Sequence, residues 1–302
     1  MRMNNICTKN YEIRFECNYC IVKDINKCIY LRVKGLAYNY ILQHYSEADF
    51  SFQLEKLFKG KHINTKKSLL EMQCKTNKSR IVERMPSFLF DYRIVLFVIG
   101  IYMVLGSFLL YTSIFESDYK IERTCTYVII LIANIFFHEI GHIIFCLRAG
   151  RFVNSYGFKL NYGIPMFYVD TSDICMASKK DRIMTSLGGV YLNSIIGLMI
   201  IIQDYLSSGE IRITSLIFIP YFFVISNLIP FMKLDGYYIL EDLMDISNLN
   251  ERASHSLHNT LKRNEARSRI NLILLTYHIS SILFFLIVII RILYIFLSWI
   301  IA

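Results

Sequence analysis

Two histidines four residues apart, with a glutamate directly after the first, interrupt an otherwise apolar run: His138-Glu139-Ile140-Gly141-His142. On a helix, residues four apart share a face. Both imidazoles can then reach one divalent ion, while the carboxylate, one step round, faces a water held there. The chemistry this serves is hydrolysis, with a metal ion acidifying water and polarising a carbonyl and the carboxylate moving the proton. Ionisable groups inside an apolar span are costly to bury and mark function by default. The competing reading is a polar cluster that satisfies neighbouring helices.

Such a site needs a third protein ligand. The next glutamate along the chain, Glu210, falls on the opposite side of the membrane in the topology set out below. Asp170 and Asp173 lie in the segment after the motif helix and remain candidates. Asp235 is better placed, because it ends a later apolar span at the depth of His142. The alternative for Asp235 is an ordinary helix-end carboxylate.

The elements that must position these groups follow from hydropathy. The chain has 302 residues, 54% of them hydrophobic. Residues 94–115 carry no charge and are long enough to cross a hydrocarbon core. Four more spans are expected at residues 126–147, 183–203, 213–232 and 270–290, with residues 292–302 extending the last. The fold class is therefore mainly α, a polytopic membrane protein of about five transmembrane helices over residues 86–302. A small cytosolic α+β domain, winged-helix-like, precedes it at residues 1–85.

The formal net charge of +9 invites a nucleic-acid partner, but its placement argues against one. Residues 1–93 hold 17 Lys/Arg against 9 Asp/Glu, a surplus of 8 leading into the first span. Basic residues then alternate between scarce and abundant from loop to loop, which places the N-terminus in the cytoplasm and the motif helix end at the cytoplasmic face; the expected location is a bacterial cell membrane. No secretory signal is expected, because the first 90 residues lack a long apolar core.

Within residues 1–85, Tyr11 to Cys17 alternates apolar and polar, and runs at 20–25 and 28–33 flank Asn26-Lys27 as a hairpin. Helices are expected at 36–45 and after Ser46, with a Lys- and Ser-rich linker at 60–85. The eight cysteines are scattered and are expected to stay reduced. Cys17 and Cys20 form a lone C-x-x-C that could bind a second metal, although core packing is the commoner fate of such cysteines.

Taken together, His138-Glu139-x-x-His142 and Asn227-Leu228-Ile229-Pro230-Phe231-Met232-Lys233-Leu234-Asp235-Gly236 resemble the paired motifs of the site-2 proteases, zinc metalloproteases that cut within or beside membranes. The continuation Tyr237-Tyr238 is similar to the peptide zinc metalloprotease branch. The resemblance covers about residues 90–245. It implies Zn2+ held by His138, His142 and Asp235, with Glu139 as general base and Asn227 positioning substrate. Pro230 and Gly236 would shape the break that aims Asp235, and Asn193, after the small pair Gly188-Gly189, would also serve substrate. Val190 stands where the family usually has proline, which puts a local bend in doubt.

The N-terminal order of three strands then helices resembles PqqD-like domains, which grip leader peptides by adding a strand to a sheet edge. The aromatic segment 151–173, with Gly157, Gly163 and Pro165, could dip into the membrane and pair with an extended substrate. The expected function is a zinc endopeptidase acting on a peptide or membrane-associated protein near the cytoplasmic face, with maturation of a ribosomally made peptide competing with cleavage of a membrane-anchored signalling protein. Its partners would be that substrate, a leader peptide and the bilayer, with no nucleic acid and an open oligomeric state. The rival is a non-catalytic membrane binding or immunity protein that keeps the motifs.

Overall fold

The computed structural model describes residues 6–7, 11–15, 19–24, 29–34, 41, 70–76, 80–114, 124–161, 164–206, 214–262 and 269–301. The chain divides into two compact units, Met1–Val224 and Ile225–Ala302.

The first unit begins with an antiparallel meander of four strands in sequence order, β1 (Ile6–Cys7), β2 (Tyr11–Phe15), β3 (Tyr19–Asp24) and β4 (Ile29–Lys34). The three expected strands stand where the alternation placed them, and β1 is added at the edge. Ile13 and Val22 pair across β2 and β3 and are both fully buried, so one face of the meander is core. The helices expected at 36–45 and after Ser46 lie outside the described residues, apart from Ile41.

A second sheet combines β5 (Leu70–Thr76) with the hairpin β6 (Val153–Asn161) and β7 (Ile164–Asp170), in that order and antiparallel. The stretch expected as a linker thus contributes a strand, and the aromatic segment after the motif helix is a hairpin. Lys- and Ser-rich composition hid β5, whose pairing to β6 is a long-range contact.

Helix α1 (Arg80–Arg84) leads to the long helices α2 (Tyr92–Ile114), α3 (Thr124–Arg148) and α4 (Lys179–Leu206). With α8 (Arg269–Ile301) of the second unit, these are the four helices among the described residues long and apolar enough to cross a membrane. The chain is a membrane protein. Half of the most apolar stretch of α4 is buried, against 22% for α2 and α3, so α4 is the central element of its unit. Its neighbours turn Leu96, Phe97, Phe108 and Phe136 outward, as a lipid-facing surface requires.

The fourth expected span is not one continuous helix. It is a 3-10 turn (Thr214–Ile217), the short helix α5 (Phe218–Leu228), a turn over residues 229–234, and α6 (Asp235–Met244). The 11 residues of α5 rise about 16 Å, roughly half of a hydrocarbon core. Pro230 explains the stop, since it lacks an amide proton and crowds a preceding carbonyl. Helix α7 (Leu249–Lys262) then precedes α8, which absorbs residues 292–301 as expected.

Candidate metal centre

In the first unit, α3 presents His138 and His142 on one face toward α4. Gly141 and Gly188 are the reason the two helices can approach so closely. A methyl on Gly141 would lie 2.2 Å from the Gly188 carbonyl oxygen, and one on Gly188 would lie 2.7 Å from that of Gly141. Gly189 is the floor beneath both imidazoles, because a Cβ there would meet His138 Cε1 at 2.6 Å and His142 Nε2 at 2.7 Å. Helix α4 runs unbroken through Val190, so the bend that proline would bring is absent.

The two rings stand nearly perpendicular, at 87°, with their Nε2 atoms 3.2 Å apart. Donors of a tetrahedral zinc with bonds of about 2.0–2.1 Å are separated by about 3.3 Å. The far side of each ring is also held. His142 Nδ1–H donates to the Thr185 carbonyl at 2.8 Å, which leaves its Nε2 as a lone-pair donor. His138 Nδ1 meets the Asn193 amide at 3.1 Å. That amide serves either tautomer. With Nδ2 donating, His138 carries its proton on Nε2, toward His142. Turned over, Oδ1 accepts from Nδ1–H, and both Nε2 lone pairs then face one point, the arrangement a metal needs.

Asn193, fully buried, therefore orients a ring, whereas the resemblance gave it to substrate. Such partners of metal-bound histidines are worth 10–100-fold in affinity. We expect Asn193→Leu to weaken zinc binding by roughly 10–100-fold and Asn193→Asp, which keeps the acceptor, to spare it. Zinc competition titration in detergent checks both, and equal affinities for the two variants would refute the role.

Glu139 extends from the same helix to β7, where its Oε2 accepts the Val169 N–H at 3.2 Å. No side-chain motif signals this contact, because the donor is backbone.

The alternative carboxylates are engaged elsewhere. Asp173, fully buried, accepts Arg151 Nε at 2.8 Å, the Tyr30 hydroxyl at 2.9 Å, the Phe152 N–H at 3.0 Å and Lys23 Nζ. Burial pushes its carboxyl upward, but Arg151, Lys23 and the Phe152 amide outweigh that and hold it below its ordinary value of 3.8. A carboxylate depressed in this way contributes stability above its unfolded value, and that contribution is lost as pH falls through the folded one. Acidification from about pH 4 downward, from the ordinary carboxylate value into the range below it, should progressively loosen the N-terminal meander, as followed by proteolysis of residues 11–34. Asp170 accepts the Ser172 amide at 2.9 Å and the Ser172 hydroxyl, which fixes the turn before α4. Neither aspartate is poised as a ligand.

In the second unit, Asn227 lies in the last turn of α5 and Asp235 is the first residue of α6, after the N-cap Leu234. A carboxylate there is favoured by the helix dipole. Gly236 lets the first turn of α6 press back on α5, since a Cβ would lie 2.4 Å from the Leu228 carbonyl oxygen. The turn is pinned by Tyr277 of α8, whose hydroxyl donates to the Pro230 carbonyl at 3.1 Å. Tyr237, Leu249, Ala253, Leu274 and Tyr277 form the core behind it. Tyr277 carries no motif of its own, and only the fold brings it to the break.

Cys20 is buried in the meander, and burial pushes its thiol up to about 12. Its C-x-x-C partner Cys17 lies outside the described residues.

No family model and no solved structure matches the chain. It is 36% identical over 116 residues to a Bacillus subtilis (strain 168) protein named "Putative peptide zinc metalloprotease protein YydH". That match takes in 37% of this chain and spans 45% of the relative's length, so the likeness is to a part of each.

Proposed function

We propose that this chain is a membrane-embedded zinc endopeptidase. The observation that carries the reading is the convergence of two imidazole Nε2 atoms at 3.2 Å, with each Nδ1 held from behind. The relative's name supports it, and so does the chemistry of the donors, since two imidazoles and an aspartate carboxylate are ordinary zinc ligands. In this proposal Asp235 is the third ligand, and Pro230, Gly236 and Tyr277 fix the turn that offers it.

A bound zinc ion acidifies water and polarises a carbonyl. Glu139 takes the proton of the attacking water and returns it to the leaving amine. The Val169 N–H holds the carboxylate for that duty, and Asn227 positions the substrate. The hairpin β6–β7 lies beside Glu139, and an extended peptide laid along it would present an unshielded peptide bond. The substrate we propose is a peptide or membrane-associated protein cut near the cytoplasmic face, of which a ribosomally made precursor is one form. A leader peptide binding to the N-terminal domain belongs to the same proposal.

The test is zinc content and peptide cleavage of the purified chain in detergent. Stoichiometric zinc with cleavage lost on chelation supports the enzyme. Zinc without cleavage of any tested peptide would favour the non-catalytic rival, and a metal-free preparation would overturn the protease reading.

A further inference from the structure

A buried polar hub joins the N-terminal meander to the segments around β6 and β7. Glu12 on β2 grips Arg151 with both oxygens, at 2.8 and 2.9 Å. Arg151 passes on to Asp173, which also takes Lys23 of β3 and Tyr30 of β4. Arg14 of β2 donates to the Cys175 carbonyl at 2.9 Å, and Ile21 packs on Met176, Tyr30 and Cys175. Side-chain exposure is 0% at Asp173, 7% at Lys23 and 12% at Arg151 and Glu12, so water does not screen the hub.

Its location gives the hub its reach. Helix α3 ends with Gly150 at φ +73°, and the Arg151 N–H returns to the Cys146 carbonyl at 3.1 Å. This left-handed cap turns the chain so that Arg151 meets Asp173 at once. Phe152, whose amide also binds Asp173, immediately precedes β6. Asp173 itself follows the end of β7 by three residues and precedes α4, the helix that supplies Thr185 and Asn193. Four junctions thus converge on one carboxylate: the end of α3, the start of β6, the end of β7 and the approach to α4. Val169, whose amide holds Glu139, is four residues from it.

We propose that Asp173 is a positioning residue. Through Arg151, Lys23 and Tyr30 it keys the N-terminal meander to the segment that sets β7 against Glu139, so the meander is a working part of the reaction centre. Replacing a buried ion cluster with apolar groups often costs little stability, which makes a role in fixing one register a physically reasonable use for it. The proposal deepens the protease reading and predicts that loosening the meander releases β7 while leaving the histidine pair intact.

Hydrogen exchange of the full chain in detergent, loaded with cobalt(II), tests this without knowledge of the substrate. Asp173→Asn and the milder Tyr30→Phe are compared with the wild type. The expected result is exchange over residues 164–170 at least tenfold faster, with the visible cobalt spectrum of the histidine site unchanged. On fluorescein-labelled casein, kcat per bound metal should fall at least tenfold at a KM within twofold, a split that simple loss of folded protein does not give. If Asp173→Asn fails to fold, Tyr30→Phe decides. Unchanged exchange over 164–170 in Tyr30→Phe overturns the proposal, whether or not the strands loosen. A wild type that takes up no metal would instead sink the protease reading and leave the exchange result standing.

Discussion

Glu139→Gln should keep its zinc and lose hydrolysis by roughly 10³-fold, the range a positioned proton carrier contributes. The substitution is nearly isosteric, and the glutamine oxygen can still accept the Val169 N–H that Glu139 now holds at 3.2 Å. What it cannot do is take a proton from water and return it. The metal donors are untouched, because His138 keeps its Asn193 contact and His142 its Thr185 contact. Elemental analysis should therefore find wild-type zinc in a chain that no longer cuts, and the variant should capture uncleaved substrate. Cleavage at more than a tenth of the wild-type rate would remove Glu139 from the chemistry. Substrate trapped this way would also identify what the chain acts on.

Gly189→Val should cost zinc affinity on the order of 10²-fold, as loss of the outer contacts of metal ligands does. The nearest atoms are both imidazoles, at 2.6 to 2.7 Å from the first added carbon. Moving α3 away from α4 would relieve the clash only by giving up the close backbone contact between Gly141 and Gly188. The rings must turn, and turning surrenders the hydrogen bonds to Thr185 and Asn193. A matched control is Gly100→Ala in α2, where a Cβ meets nothing within 4 Å. That change removes a flexible residue from a helix and should be neutral or stabilising by up to about 1 kcal/mol. Zinc titration and thermal unfolding of the two variants side by side check the contrast. Normal affinity in Gly189→Val would mean that the floor of the pocket is not where the structure puts it.

The histidine motif was legible because its meaning lies in spacing alone: four residues on a helix put two imidazoles together wherever the helix sits. The long spans were legible for a similar reason, since an uncharged run of that length is a one-dimensional signal. The fourth span misled because hydropathy averages over a window and passes smoothly through Pro230, although the proline itself announces a stop. Asn193 was legible as a site residue, but its contact with His138 was not, because which ring an amide meets depends on how α3 and α4 register at Gly141 and Gly188. Asp170 and Asp173 were eligible as ligands by position, and only tertiary partners, Lys23 and Arg151 from far along the chain, disqualify Asp173. The Val169 amide left no trace in the sequence, as a backbone donor cannot.

Helix α8 spans 33 residues, about 50 Å of rise, whereas a hydrocarbon core is about 30 Å thick. Only 11% of its most apolar stretch is buried. So long a rod must lean or project, and its lean adjusts to the thickness of the surrounding lipid. Because Tyr277 on this rod fastens the Pro230 turn, acyl-chain length becomes a variable to which the Asp235 loop is mechanically connected.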